Sequence, residues 1–565
     1  MSGVLDARSR DASLQALAAG PLDVLVIGGG ITGAGAALDA ASRGLRVGLV
    51  ESRDLAAGTS SRSSKLIHGG LRYLEQGDFK LVREALRERD LLVSRLAPHL
   101  VRPVPFLYPL YKKVVERPYV GAGLVLYDAM EGVKRPVPHH RHLTTRGALR
   151  RAPALRADRL AGAMVYYDAQ VDDARYTMTV ARTAARFGAV VVTRASATSL
   201  LRAGSRVTGA VVQDEETGRS FDVHAARVIV CAGVWSDLVH SASGVRAGYH
   251  VRMSKGVHLV MPRSAIDSET GMIVRTSKSV LFFIPWETRW IVGTTDTDWS
   301  GDRAEPAATP EDVDYILGEA NRVLAKPLTR ADVLAVYAGL RPLVAEAEGG
   351  AGEKPTTKLS REHVVDTPLP GLASVAGGKF TTYRLMARDV VDAAVADLPG
   401  PVPPSVTGQL SLLGADGLPA VRASVARLAG DYGVPVDAAT HLIARYGSLA
   451  VEVLELIRGE KPLAQPLLDG HPYLRAEVAY AVTHEGALHV EDVLARRVRL
   501  LIESSDAGAS TAPEVVAIMA GLLGWNRRRR AAELRRYLDL AAANSAALSA
   551  PAVLSESVAT KPVPA

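Results

Sequence analysis

The chain has 565 residues, 48% of them apolar and 22% charged, with a net charge of +7. That composition suits a multidomain globular protein and excludes a disordered or fibrous chain. The single cysteine, Cys231, excludes an intramolecular disulfide and a cysteine-based metal centre, and fits a reducing, cytoplasmic compartment.

Residues 1–20 mix Asp6, Arg8, Arg10 and Asp11 with short apolar pieces and lack the apolar core of a signal peptide. They are expected to form a flexible N-terminal arm. No run of about 18 apolar residues occurs, so membrane contact is expected to be peripheral. A basic balance suits nucleic acid, an anionic membrane surface or small anionic ligands. No RNA-binding or zinc-finger signature is present, so nucleic acid is not an expected partner.

Asp23–Ile27 predicts a buried strand that runs into Gly28-Gly29-Gly30-Ile31-Thr32-Gly33 and then an alanine-rich helix ending near Gly44. Gly28, Gly30 and Gly33 keep the G-x-G-x-x-G spacing, in which backbone and helix N-terminus receive a pyrophosphate. Val47–Glu51 predicts the second strand. Glu51 lies 23 residues after Gly28, where a carboxylate accepts hydrogen bonds from a ribose diol. The polar loop Gly58-Thr59-Ser60-Ser61-Arg62-Ser63-Ser64-Lys65 offers hydroxyls and N–H groups to a diphosphate. Its alternative is an ordinary surface loop.

Residues 78–97 have helical composition. Thr177–Phe187 predicts a helix, Val190–Thr193 a strand, and 206–213 with 220–224 an antiparallel pair. Arg227–Gly233 predicts a buried strand ending in glycine before a helix from Trp235, a second backbone approach to the same ligand. Short apolar runs between 250 and 345 predict an antiparallel sheet. Ala373–Lys379 and the helix from Thr381 give a third approach. Pro399–Pro404 is a linker, residues 405–545 carry helical periodicity, and residues 546–565 are expected to be disordered. His139, His140 and His142 lie in a Pro/Arg loop and are expected to face solvent, so no metal site is expected.

The run Ser63-Ser64-Lys65-Leu66-Ile67-His68-Gly69-Gly70-Leu71-Arg72-Tyr73-Leu74-Glu75 closely resembles a signature of FAD-dependent glycerol-3-phosphate dehydrogenases. The resemblance continues in order through Val171–Arg175, Lys255–His258, Ile284–Trp286, Val292–Asp296, Tyr337–Leu343 and Gly377–Arg384. It implies an α/β fold: a Rossmann-like, amino-acid-oxidase-like FAD-binding domain over 21–398, with an antiparallel-sheet substrate domain mainly in 75–165 and 245–365. A C-terminal all-α domain over 405–545 completes it.

The resemblance implies FAD as cofactor, sn-glycerol 3-phosphate as substrate and a membrane quinone as electron acceptor, reached from the cytoplasmic face of the membrane. The expected assembly is a homodimer. Acceptance of electrons by oxygen, and a flavin-holding assembly protein without turnover, are the alternatives. By the same resemblance Arg72, Tyr73, Arg361 and Lys379 grip the phosphate, and Arg341 orients the reacting oxygen. His68 and His258 are the candidates for proton acceptance; for each the alternative is a structural histidine. Thr59, Ser60, Ser61, Ser63, Ser64, Lys65, Gly233, Trp235, Gly378, Lys379 and Thr381 join Gly28, Gly30, Gly33 and Glu51 as expected cofactor contacts. The basic run Arg527–Arg530 is expected on a solvated or subunit-facing helix, with anionic lipid as its second reading.

Overall fold

The computed structural model describes residues 3–75, 77–112, 115–131, 136–276, 279–346 and 362–549. The first strand, Leu22–Ile27, lies between Ser220–Val230 and Val47–Glu51 and is parallel to both. Leu372–Gly377 and Val190–Thr193 extend the parallel core on either side, and His363–Leu369 adds an antiparallel edge. Near-continuous apolar runs such as Val24-Leu25-Val26-Ile27 are what a sheet covered on both faces requires, and these side chains are buried.

The helix Ile31–Ser42 follows the glycine turn. Its buried alanines at 34, 36, 37, 40 and 41 let the helices Asp173–Arg186 and Tyr383–Val395 approach closely. Gly44, with φ +86°, ends it.

The second sheet is largely antiparallel. Its spine is the long strand Tyr249–Pro262, paired with Ala335–Glu346 on one side and Arg289–Gly293 on the other. Arg102–Leu110 and Gly162–Gln170 continue it. Trp290, fully buried, donates its Nε1–H to the carbonyls of Arg263 and Ile266, so it is a wall of this domain's core. The expected helix at 78–97 is the helix Phe79–Leu91, capped by Asp78, followed by a wider turn at Leu92–Leu96.

Two expectations at the chain ends are corrected. The N-terminal arm is not loose: Arg10–Ala18 is a helix. Leu14 and Leu17 on one face of that helix pack into the core beside Leu22, Leu25 and Val50. The tail does not begin at 546. The final helix runs Arg527–Ser549, and Ala547 is buried against Val313 and Ile316 of the substrate domain. The remainder of the expected tail lies outside the described residues.

The helical domain docks through buried ion pairs. Arg497 donates to Asp54 at 2.8 Å, Arg194 to Asp492 at 2.7 Å, and Arg445 to Asp172 at 3.0 Å. Arg175 also pairs with Glu485. Removing one member of such a pair leaves a buried charge uncompensated, at a cost of about 3–5 kcal/mol.

Candidate active site

One cleft of about 580 Å³ runs from the glycine turn and Glu51 to His258, Arg341 and Lys379. Its far end is shaped by what cannot stand there. Gly28 has φ +112°, and a Cβ on it would meet the Cys231 carbonyl at 2.6 Å. A Cβ on Gly33 would lie 1.9 Å from the Gly28 carbonyl oxygen. Both positions therefore exclude a side chain, and the backbone itself forms the cradle. Gly30 lines the cleft as the N-cap of the helix Ile31–Ser42, whose positive end suits a phosphate. Glu51 accepts the N–H of Gly29 at 2.6 Å and of Arg53 at 2.8 Å. Burial pushes its carboxyl above the usual range, against those two N–H groups.

The other end is built on two paired strands. His258 lies opposite Tyr337, Gly256 opposite Gly339, and Ser254 opposite Arg341. Residues two apart on a strand share a face, so these six positions lie on one face of the sheet. A Cβ on Gly256 would come within 2.5 Å of the Arg341 guanidinium, and one on Gly339 within 2.3 Å of the Arg62 carbonyl. Gly256 gives the arginine its room, and Gly339 lets the Arg62 backbone approach the strand. Arg341 donates to Thr294 Oγ1 at 3.1 Å and to the Thr295 carbonyl at 3.2 Å. Asp296 stands 3.5 Å away.

His258 is 2% exposed. Its Nε2 and the Ser64 hydroxyl are hydrogen-bonded at 2.8 Å, and its ring stacks on Tyr337 with 4.8 Å between centroids. Burial, then the charges of Arg341 and Lys65, hold its pKa well below the ordinary histidine value. The imidazole is neutral at neutral pH, the form that accepts a proton.

Most of the sequence-nominated residues meet along this cleft: Gly28, Gly30, Glu51, Thr59, Ser60, Ser63, Ser64, His68, Gly233, Trp235, His258, Arg341, Gly378, Lys379 and Thr381 all line it. Several hydroxyls are already engaged. Ser60 accepts the Ile31 N–H at 2.9 Å, Thr59 donates to the Leu340 carbonyl at 2.7 Å, and Thr381 accepts the His68 N–H at 3.1 Å. They shape the loop as much as they face a ligand.

Other nominations are corrected. Lys65 is fully buried away from the cleft, with its ammonium 2.8 Å from Asp173 and over the Tyr337 ring. Burial and Arg499 bring its pKa down to about 8. Ser61 likewise does not line the cleft; its carbonyl accepts Lys65. Tyr73 is buried, and the Lys379 ammonium lies 3.7 Å from its ring centroid, so it supports Lys379 instead of lining the cleft. The Arg72 side chain and Arg361 lie outside the described residues. His139 and His142 are exposed as expected, while His140 is half-buried; His139 and His140 both meet the Asp128 carboxylate.

Sequence reasoning missed three sets of contacts. Asp173 accepts the Ser63 N–H and hydroxyl at 2.9 and 2.7 Å. Tyr337 donates to the Ser63 carbonyl at 2.9 Å. Arg53 and Arg62 both reach Glu305, tying the 304–305 segment across the cleft. The acid pair Asp172-Asp173 at a helix start was the available signal for the first.

The strand–glycine–helix cradle, the acid beyond it and the second sheet closing over it define an FAD-dependent oxidoreductase. A model of the family "FAD dependent oxidoreductase" matches residues 23–384, and one of the "C-terminal domain of alpha-glycerophosphate oxidase" matches 405–530. The chain is 53% identical over 517 residues to glycerol-3-phosphate dehydrogenase 2 of Mycobacterium tuberculosis, covering 91% of this chain and 87% of that one. It is 39% identical to the human mitochondrial glycerol-3-phosphate dehydrogenase, over 94% of this chain and 75% of that one. The solved glycerol-3-phosphate dehydrogenase of Bacillus halodurans, complexed with FAD, superposes with a TM-score of 0.80 at 30% identity, covering 97% of this chain and all of that one. The chain belongs to the FAD-dependent glycerol-3-phosphate dehydrogenase family.

Proposed function

We propose that the protein oxidises sn-glycerol 3-phosphate to dihydroxyacetone phosphate and passes the electrons to a membrane quinone. The observation that carries the substrate half is the neutral, buried His258 on the same cleft wall as the cations Arg341 and Lys379. The backbone at Gly28 and Gly30, with Glu51, would hold the adenosine diphosphate of FAD, while Gly33, which does not line the cleft, lets the helix pack against Gly28; Gly378, Lys379 and Thr381 would flank the other end of the cofactor. FAD bound there supplies the hydride acceptor. Oxidising a secondary alcohol also releases the hydroxyl proton, and neutral His258, hydrogen-bonded to Ser64, is the base that accepts it. Arg341 steadies the oxygen as it becomes a carbonyl. Lys379 supplies a point charge for the phosphate. His68, also on the wall, is the second candidate base.

The membrane half rests on the helix Glu116–Met130. Its buried face holds Val120, Leu124 and Tyr127, yet its outer face is apolar as well. Val115 is 66% exposed, Tyr119 57%, Val125 58% and Leu126 39%, with Lys112 exposed beside them. A helix apolar on its outer face and flanked by a cation suits the interfacial layer of a bilayer. No helix among the described residues is long and apolar enough to cross one. Lipid contact was only the second reading of the basic run Arg527–Arg530, and one of its members is already engaged: Arg529 pairs with Glu216 and Glu533. The cytoplasmic face of the cell membrane as location, and a homodimer as assembly, are proposed on the family resemblance alone. Turnover with a soluble quinone analogue against turnover with oxygen tests the acceptor. Faster turnover with oxygen would make the protein an oxidase.

A further inference from the structure

One side chain of the helical domain, Arg499, reaches the loop behind the cleft wall. Arg499 is 1% exposed and adopts the left-handed conformation, φ +62°. Its Nη2 donates to the Ser61 carbonyl at 2.9 Å and to Asp173 Oδ1 at 3.3 Å. Lys65 Nζ donates to the same two acceptors, at 3.1 and 2.8 Å. The other oxygen of Asp173 holds the Ser63 N–H and hydroxyl. Residues 61, 63 and 65 are thus pinned from below, and the residue between the last two, Ser64, presents its hydroxyl to His258 Nε2. None of the pinning groups except Ser63 lines the cleft.

We propose that Arg499 is a positioning residue for substrate oxidation: through Ser61 and Asp173 it fixes the loop that sets the Ser64–His258 pair. The helical domain then contributes to chemistry without touching substrate. This rests on the glycerol 3-phosphate reading above. Backbone displacement of a fraction of an ångström at Ser64 is enough to disturb a proton-accepting geometry. Arg499→Lys keeps the charge but loses the forked donor; Arg499→Gln keeps some reach and loses the charge.

The test is anaerobic flavin reduction by glycerol 3-phosphate in the full-length holoenzyme, for wild type, Arg499→Lys, Arg499→Gln, Ser64→Ala and the double variants. Each Arg499 variant is expected to retain FAD and slow reduction about tenfold, with substrate affinity within about twofold of wild type. In the Ser64→Ala background the same substitutions are expected to have no further effect, because coupled residues are non-additive. Unchanged rates, or a loss that persists undiminished without Ser64, overturn the proposal. So does loss of FAD from both Arg499 variants, which marks a fold support only. Failure of wild type itself to be reduced is a different result: it overturns the functional reading.

Discussion

The Ser64 hydroxyl and His258 Nε2 stand 2.8 Å apart, joining a loop of the nucleotide-binding sheet to the spine of the second sheet. The two residues are 194 positions apart in sequence, and their contact lies on the wall of the shared cleft. Ser64→Ala should therefore slow flavin reduction about tenfold or more while leaving FAD bound. His258→Gln should slow it about a hundredfold or more. Single-turnover reduction with flavin absorbance as the occupancy check measures both. If His68→Gln has the larger effect, the base is misassigned.

The neutral state of His258 sets a pH expectation. Its pKa in the fold lies well below its ordinary value, because of burial and the charges of Arg341 and Lys65. A base with a depressed pKa stays competent as pH falls, so kcat/KM should show no acidic limb near the ordinary histidine value of about 6.5. The linkage to stability has a definite sign. Below that value the unfolded chain takes a proton that the folded imidazole refuses, so stability falls with falling pH. His258→Gln should remove that loss from the melting profile.

Arg341 is held by Thr294 and Thr295 at the edge of the cleft, where Gly256 leaves it space. Arg341→Ala should lower kcat/KM by about a hundredfold or more with FAD retained. Gly256→Ala should lower it too, because the added methyl meets the guanidinium. Steady-state kinetics at fixed flavin content checks both.

Glu503 sits in the helical domain with both carboxylate oxygens 3.0 Å from the Tyr473 hydroxyl. Burial raises its pKa to about 8, despite the opposing pull of Arg445. An acid with a raised pKa keeps its proton in the fold while the unfolded chain releases it. Stability therefore falls as pH rises from the ordinary carboxyl range to about 8. Glu503→Gln should flatten that slope and raise the melting temperature at pH 8 and above. Thermal melts across this range read it directly.

The outer face of Glu116–Met130 should carry membrane affinity. Burying Val115, Tyr119, Val125 and Leu126 in the interface contributes on the order of 1 kcal/mol each. Val125→Glu with Leu126→Glu should reduce co-sedimentation with anionic vesicles about tenfold or more and leave flavin reduction by substrate unchanged. Equal sedimentation of this variant and wild type would remove the helix from the membrane account.

Much of the architecture was legible because local chemistry dictated it. Gly28 and Gly33 occupy positions where a Cβ collides with backbone, so their spacing speaks for the fold directly. The strand at Val190–Thr193 matched its expected bounds. The cleft residues were found from ordered motifs, not from periodicity. What stayed hidden depends on long-range partners. Lys65 reads as a loop cation, and only the fold shows Asp173 and Arg499 beneath it. Leu14 and Leu17 read as isolated leucines until the sheet edge they cover is known. Tyr73 sits within the most recognisable motif, yet its ring faces Lys379.

The central claim is that one small phosphorylated alcohol delivers its hydride in this cleft. Anaerobic titration of the purified holoenzyme with sn-glycerol 3-phosphate tests it most directly. The account predicts that the oxidised flavin spectrum bleaches and that dihydroxyacetone phosphate forms in equal amount. A flavin that stays oxidised at saturating substrate would contradict it.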